Sequence, residues 1–265
     1  MPTKTGKTYS SFNPNDLAIN QATGVGIDST TRLIHDGLGQ STSISLSDDV
    51  LSVQPVNDDT TGAMLVKNQS GSNILAVDTT NSKVLIGASQ VAANTQYAYF
   101  GCGSTQALSP VAGTHYLIPF ANMVFGSAAV AFGTGTDPLT SYDISANNNG
   151  DDVVLCLWAI PDNITIDQVY LYAGGNAATG DTVNIHLLSF DIDQGAGAGK
   201  GDLSNGTVIA GGADIASLGY ENIVYQTTSP SSADVDAGKV IFATFESAGT
   251  NSDYGLNITV KYHIR

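Results

Sequence analysis

Few side chains of this 265-residue chain have the types and spacings that enzyme sites use. The four histidines, His35, His115, His186 and His263, lie in separate segments without the close spacing of metal ligands. His186 and His263 occupy the polar phase of alternating runs, which predicts exposed strand positions rather than catalytic ones. The sequence also has no Gly-x-Ser-x-Gly elbow and no phosphate-binding P-loop.

Aspartates are numerous, and a pair of carboxylates is what most glycosidases need. Nearly every Asp of this chain, however, stands beside Gly, Asn, Ser or Thr, which is the composition of turns. We therefore predict no catalytic residues and a protein that is not an enzyme.

One stretch has partial metal-ligand spacing. Asp191, Asp193 and Asp202 would supply oxygen ligands at positions one, three and twelve of a calcium loop. Position six is Ala196 where such a loop needs Gly, and position twelve is Asp rather than Glu. We interpret the glycine-rich run 195–201 as an exposed loop and predict no metal site and no cofactor, while calcium at the three aspartates stays an open alternative.

Cys102 and Cys156 are the only cysteines, and two distant cysteines form neither a disulfide framework nor a zinc pattern. We interpret them as small core residues and keep a single disulfide as the alternative, so their redox state is left open.

The composition predicts an all-β protein. Glu221 and Glu246 are the only glutamates among 24 acidic residues, and Asp favours turns whereas Glu favours helix interiors. Glycine occurs 29 times and tyrosine 11 times, which also disfavours helices.

The charge of the chain excludes some partners. A net charge of −15 with nine basic residues argues against nucleic acid, because phosphate binding needs clustered Lys and Arg. No stretch has the 18 or more apolar residues of a membrane helix, so we expect no membrane partner. Met1 opens a polar segment without the apolar core of a secretory signal, which leads us to expect synthesis in a cytoplasm.

Three regions follow one another along the chain. Residues 1–39 are polar with isolated hydrophobes, which is typical either of a disordered tail or of an arm that becomes ordered by binding something larger, and we expect the extended arm. Residues 40–94 contain short apolar runs about ten residues apart, separated by Asp, Asn and Gly turns, which is typical of stacked β-units. Such a region is too small for a core of its own, and we infer that three copies wound together supply one.

Residues 95–265 have the pattern of a jelly-roll-like β-sandwich of about eight strands. The clearest strand is 256–264, which alternates over nine residues, and 182–187 alternates as a half-buried strand should. The apolar run 153–158 is interpreted as a buried strand, and 240–245 as a further one.

The segment Ile74-Leu75-Ala76-Val77-Asp78-Thr79-Thr80-Asn81-Ser82-Lys83-Val84-Leu85-Ile86-Gly87 resembles the L-x-V-[DN]-[TS]-x-N-x-[RK]-V-x-I-G unit of bacteriophage fibres. In that family the unit forms a β-hairpin in the shaft of homotrimeric tail and head fibres. The resemblance is close over about 15 residues, and the same unit occurs in bacterial surface adhesins. It implies a trimeric shaft at residues 40–94.

The expectation that follows is a non-enzymatic structural protein on the surface of a virion, a homotrimeric fibre or capsid-decoration protein. Residues 1–39 would attach it to a capsid or tail protein, and 95–265 would face outward. The alternative is a tail fibre or spike whose tip recognises a host surface glycan, and a third possibility is a capsule-degrading spike. Exposed aromatic rings bind sugars by stacking, and five tyrosines near predicted loops are candidates, although core or trimer packing is favoured for them: Tyr97, Tyr99, Tyr142, Tyr220 and Tyr254.

Overall fold

The chain forms two compact units, Met1–Ala93 and Asn94–Arg265, in a computed structural model. The structure describes residues 17–19, 27–36, 38–103, 110–121, 130–147, 150–176, 181–212, 215–216, 222–249 and 253–265. Within these ranges nearly all regular structure is strand, so the predicted all-β class is confirmed.

The first unit contains eight short strands within its described residues. They are β1 (Ala18–Ile19), β2 (Arg32–His35), β3 (Ser41–Leu46), β4 (Leu51–Val53), β5 (Met64–Lys67), β6 (Asn73–Asp78), β7 (Lys83–Ile86) and β8 (Val91–Ala92). Two antiparallel sheets result, in the orders β1-β2-β3-β4 and β5-β6-β7-β8. Each sheet is a meander of neighbouring strands, as short strands joined by tight turns favour.

The predicted boundary between residues 39 and 40 falls inside the first of these sheets. Strand β2 pairs with β3, so that Arg32 lies opposite Leu46 and Leu33 opposite Ser45. Because the backbone groups of β2 find ladder partners in β3, the end of the predicted arm belongs to the same sheet as the residues that follow it. The arm residues 1–16 and 20–26 lie outside the described residues.

The hairpin between β6 and β7 is held by side chains in its turn. Asn81 donates its backbone N–H to one carboxylate oxygen of Asp78 (3.0 Å) and its side-chain amide to the other (2.8 Å). These bonds lower the pKa of Asp78, the side-chain bond from Asn81 being the largest cause. Ser82 adopts a left-handed conformation with φ of 53°, and Asp78 pairs with Lys83 across the hairpin. The Asp and Asn of the fibre-like segment thus define its turn.

The second unit contains the remaining strands and two short helices of the described chain. They are β9 (Thr95–Cys102), β10 (Thr114–Ile118), β11 (Ala131–Thr134), α1 (Ile144–Asn147), α2 (Gly150–Leu155), β12 (Trp158–Ala159), β13 (Ile164–Asn176), β14 (Thr182–Ile192), β15 (Leu203–Gly211), β16 (Ile215–Ala216), β17 (Asn222–Thr228), β18 (Asp234–Val235), β19 (Val240–Ser247) and β20 (Asp253–Ile264).

Eight of these strands form a jelly-roll sandwich. One sheet has the order β17-β13-β20-β9 and the other contains β10-β19-β14-β15 with β11 beyond β10. Successive strands of these eight alternate between the two sheets, except β14 and β15, which pair with each other in the same sheet, and this is the connectivity of paired Greek keys. Apolar side chains from both sheets, among them Phe100, Leu171, Phe245 and Ile258, meet in one core. The expected sandwich architecture of 95–265 is present in the described residues.

A second apolar cluster covers the outer face of the β10-β19-β14-β15 sheet. Leu188, Phe190 and Phe242 point away from the sandwich core. They pack against Phe132 and Tyr142, which belong to the segment from β11 to α1 that crosses this face of the sheet. Strand β14 is therefore buried on both faces rather than half-buried, as 182–187 had been predicted to be.

The run 153–158 was predicted as a strand and is not one. Residues 150–155 form helix α2, and only Trp158–Ala159 at the end of the run are strand. Val153 and Cys156, three positions apart, are buried, while Val154 between them is exposed, which is a helical rather than an alternating pattern. Asp151 and Asp152 lie in the first turn of the helix, where negative charge is favourable. Neither helix of the described part is long and apolar enough to cross a membrane.

Candidate binding surfaces

An aliphatic surface lies uncovered on one side of the sheet β5-β6-β7-β8. Met64 pairs with Val77 and Val77 with Val84, while Leu75 pairs with Ile86, so these side chains point to the same side. We call this surface the aliphatic face, and its residues are Met64, Val66, Leu75, Val77, Val84, Ile86 and Val91. Every side chain on it is apolar, and none is fully buried.

The rest of the first unit also lacks an enclosed core. Leu51 is 67% exposed, Ile74 51% and Ile44 38%. Among the described residues of Met1–Ala93, Ala76 is the only buried apolar residue, and Asp78 is the only buried polar one. Full burial of each large aliphatic side chain is worth roughly 1.5–3 kcal/mol. A single copy of this unit therefore forgoes most of the hydrophobic stabilisation that its sequence offers.

A second surface, rich in tyrosine, lies on the outer side of the sheet β17-β13-β20-β9. Inward-facing residues such as Ala98, Leu171 and Val260 alternate with outward-facing ones on the same strands. We call the outward surface the tyrosine face, and its tyrosines are Tyr97, Tyr99, Tyr170, Tyr172 and Tyr225. Tyr97, Tyr99, Tyr172 and Tyr225 are each about half exposed.

The strand register arranges the tyrosine face in rows that cross the strands. In one row Tyr99 lies opposite Thr259, and Thr259 lies opposite Tyr170. In the next row Asn257 lies opposite Tyr172, which lies opposite Tyr225. The rings of the first row are therefore separated by a threonine, whereas the second row has one asparagine beside two adjacent rings.

Three rings of the tyrosine face contact one another. The ring centroids of Tyr172 and Tyr225 are 4.8 Å apart, and the rings of Tyr170 and Tyr225 are stacked at 6.5 Å. Desolvation, together with neighbouring Tyr172 and Tyr170, raises the pKa of Tyr225. Its phenol group therefore stays neutral and keeps its proton as a hydrogen-bond donor.

The tyrosine face includes two of the five tyrosines that were considered from the sequence as candidates for sugar binding. Tyr97 and Tyr99 lie on it, although on a strand rather than in a loop. Tyr142 and Tyr254 are buried, and packing rather than ligand binding explains them. Tyr220 lies outside the described residues. Tyr170, Tyr172 and Tyr225 were missed, and their signal was alternation with buried residues along β13 and with half-buried residues along β17.

The histidines predicted to be exposed are buried. His186 on β14 is 1% exposed, because the segment crossing the sheet covers that face. Its ring meets that of His115 edge to face, with centroids 5.1 Å apart. The Asp137 carboxylate lies 3.4 Å from Nε2 of His186, yet burial, followed by the neighbouring His115, lowers the pKa of His186. In the described structure the Nδ1 atoms of both rings have no hydrogen-bond partner.

His263 is also buried, at the end of β20, which corrects its predicted exposure. Its Nδ1 lies 3.0 Å from the Asp167 carboxylate. Asp167 is the extra residue where the register between β13 and β20 shifts, so a β-bulge brings the acid to the imidazole. This hydrogen bond is sufficient to explain the burial of both side chains.

The three aspartates of the calcium-like stretch have separate partners. Asp191 accepts from Lys239 (2.6 Å) and Asn205, and Asp193 from Lys200 (2.9 Å). Asp202 accepts the backbone N–H of Ile144. Within the described ranges no group of three His, Cys, Asp or Glu side chains is arranged to hold a metal ion. Residues 193–202 form the loop after β14, and it is closed by backbone hydrogen bonds of Asp193 with Asp202 and Gly201 and by the Lys200–Asp193 pair.

Cys102 and Cys156 are both free and buried, in different apolar clusters. Their interpretation as core residues is confirmed. Burial raises the pKa of each thiol to about 12.

The second unit also has a small pocket beside Trp158. It encloses about 210 Å³ and is lined mainly by apolar side chains, including Ile160, Pro161 and Tyr262. The rings of Trp158 and Tyr262 both line it, and their centroids are 5.0 Å apart. With Asp162 as its one acidic side chain, the pocket has no pair of carboxylates for hydrolysis.

The fold thus defines the second unit as a jelly-roll β-sandwich, a class that many unrelated functions share. No protein-family model and no curated protein matches the chain. Among solved structures, it is similar to Clostridium thermocellum endo-1,4-beta-D-xylanase 10B, solved as its CBM22-1–GH10 modules with xylohexaose. The two share 14% identity over 41% of this chain and 18% of that chain, with a TM-score of 0.25. A likeness at this TM-score carries no argument about fold or function.

Proposed function

We propose that this chain is a non-enzymatic structural protein of a virus particle, assembled as a homotrimer through its first unit. In this proposal it is a fibre or capsid-decoration protein, and the jelly-roll unit faces outward on the virion surface. Residues 1–39 attach it to a capsid or tail protein.

The observation that carries the proposal is the uncovered aliphatic face. Its seven apolar side chains have no covering layer within the described residues of the first unit, and Ala76 is the only apolar residue buried there. Sheets that expose such a face in water aggregate or assemble. Association of several copies around one axis would place these faces against one another and create the core that one copy lacks.

The number of copies and the viral setting rest on the resemblance of residues 74–87 to phage fibre hairpins. The turn of this hairpin supports the resemblance physically, because Asp78 and Asn81, the residues of the shared motif, close it. A net charge of −15 spread over each copy helps to keep such an assembly soluble.

Light scattering on the purified chain tests the assembly. We expect a mass three times the 27.3 kDa of one chain, and a monomeric mass for residues 94–265 alone. A monomeric full-length chain would contradict the proposal, because its aliphatic face would then be stable in water. A trimer of residues 94–265 alone would move the assembly surface to the jelly roll.

A second candidate function is recognition of a host glycan by the outward unit, and the tyrosine face favours it. Half-exposed phenol rings interspersed with Thr and Asn side chains offer both stacking surfaces and hydrogen bonds. This activity is compatible with the structural role, because it uses a surface of the second unit alone.

A further inference from the structure

We propose that the tyrosine face binds an extended, uncharged polysaccharide that lies across the strands β9, β20, β13 and β17. This inference rests on the second candidate function and names its residues and its ligand class. It does not depend on trimerisation, because every residue involved belongs to the second unit.

The spacing of the rings suits a chain of sugar rings. Tyr99 and Tyr170 occupy the same row with one strand between them, which separates their backbones by about 10 Å. A pyranose chain crossing this row would place one sugar over Tyr99 and another over Tyr170. Tyr225, stacked with Tyr170 at 6.5 Å, extends the aromatic surface to the edge strand β17.

The side chains between the rings supply the polar half of the site. Thr259 lies between Tyr99 and Tyr170, and Asn257 lies beside Tyr172 in the next row. Short hydroxyl and amide groups beside aromatic rings match a sugar, whose ring face is apolar and whose edge carries hydroxyl groups. Because the phenol of Tyr225 stays protonated, it also offers a hydrogen-bond donor.

The charges on and around the tyrosine face favour an uncharged ligand. A third row places Tyr97 opposite Lys261, and this lysine is the one charged side chain in the three rows. The whole chain carries a net charge of −15, which repels uronic-acid and sulfated chains at low salt. A neutral polysaccharide experiences no such repulsion, and one lysine provides no cationic track for a polyanion.

The composition of the face argues for a sugar rather than a second copy of the chain. The aliphatic face of the first unit is made of Met, Val, Leu and Ile, and a wholly apolar surface of this kind favours contact between identical chains. The tyrosine face instead mixes half-exposed phenols with Asn, Thr and Gln. We therefore assign assembly to the first surface and glycan binding to the second.

Native gel electrophoresis of the full-length protein in gels containing polysaccharide tests the inference. The uncharged probes are dextran, galactomannan and mixed-linkage β-glucan, and polygalacturonate is the charged probe. We expect at least one uncharged polymer to retard the protein and polygalacturonate to leave its mobility unchanged. Tyr99→Ala and Tyr172→Ala should each weaken the apparent affinity about tenfold or more, as loss of a central aromatic contact does.

Two control variants isolate the aromatic rings. Tyr99→Phe keeps the ring and should keep most of the retardation. Val154→Ala trims an exposed apolar side chain on α2, which covers the other sheet, and should behave as the unmodified protein. Light scattering on each variant checks that the assembly is unchanged, which separates a failure of glycan binding from a failure of the trimer.

Absence of retardation by all three uncharged polymers would overturn the inference, as would retardation that persists in both alanine variants. Retardation by polygalacturonate alone would overturn the assigned ligand class. A loss of trimer mass in Tyr99→Ala or Tyr172→Ala would show that the tyrosine face is an interface between copies.

Discussion

The imidazole rings of His115 on β10 and His186 on β14 meet edge to face inside the jelly-roll unit. Both strands pair with β19, which lies between them. His115 donates from Nε2 to the carbonyl oxygen of Gly135 at 2.9 Å, which places a proton on that nitrogen. The two charged groups that face the pair are Asp137, beside His186, and Glu246, opposite His115 across the ladder. Both rings are buried on a covered face of the sheet.

This arrangement predicts that the second unit loses stability as the pH falls. Burial lowers the pKa of His186 below its ordinary value of 6.5, so the unfolded chain binds a proton that the folded chain does not. Its contribution to stability is fully present above pH 6.5 and is lost progressively as the pH falls from 6.5 toward the folded pKa. The loss is at most about 1.4 kcal/mol per pH unit for one such group.

Thermal unfolding of the full-length protein between pH 5 and 8 measures this effect. A His186→Asn variant should be less stable at neutral pH and should show a shallower pH dependence than the parent protein. A His35→Asn variant, altered in the first unit, should keep the parent slope for the transition of the second unit. An unchanged slope in His186→Asn would contradict the assignment to this histidine.

A close approach of two backbone segments predicts a sensitive glycine. Gly206 on β15 donates its N–H to the carbonyl oxygen of Thr140, and a Cβ added to Gly206 would lie 2.6 Å from that oxygen. It would also lie 2.5 Å from a ring carbon of Phe190. Gly206→Ala should therefore destabilise the second unit by about 1–3 kcal/mol.

Denaturant unfolding of Gly206→Ala and of a matched Gly103→Ala variant measures the difference. A Cβ at Gly103 would meet no atom within 4 Å, so that variant should match the parent protein. Equal free energies of unfolding for the two variants would show that the segment at Thr140 can move aside without destabilising the unit.

The parts of the fold that the sequence revealed are those with one covered face or a closed local turn. Strand β20 alternates from Leu256 to Val260 because one side meets the core and the other meets solvent. The hairpin of β6 and β7 was recognisable because Asp78 and Asn81 close its turn through their own side chains. Both patterns involve residues that are close together in the sequence, so they can be recognised without a structure.

The errors arose where a distant segment changes the environment of a residue. His186 stands in a polar phase by sequence, yet it is buried, and Asp137 of a distant segment lies 3.4 Å from its Nε2. Packing in the second apolar cluster makes Val153 and Cys156 the buried positions of a short helix, whose six residues give too little periodicity to tell from a strand. The tyrosine face was missed for a related reason, because its rows exist only after the strand register is known.

The buried cysteines predict a thiol reactivity that depends on folding. Burial raises the pKa of Cys102 and of Cys156 to about 12, so neither forms a thiolate at neutral pH. The folded protein should remain unmodified by iodoacetamide at pH 7.5, whereas the protein in denaturant should gain two adducts, one at each cysteine. Mass spectrometry distinguishes these states, and rapid addition of one adduct to the folded protein would show that a thiol is accessible.

The aliphatic face predicts which substitutions prevent assembly. Val84 and Ile86 are more than 40% exposed in one copy, and in the proposed trimer they lie against other copies. A carboxylate placed there would be buried without a partner, which costs several kcal/mol. Val84→Asp and Ile86→Asp should therefore give a monomeric mass by light scattering, with the unfolding transition of the jelly roll unchanged.

Ser89→Asp, which adds the same charge at an exposed polar position in a loop of the same sheet, should remain trimeric. Trimers that persist in both face variants would move the interface to the opposite side of the sheet, where Ile74→Asp and Leu85→Asp would then be the disruptive changes.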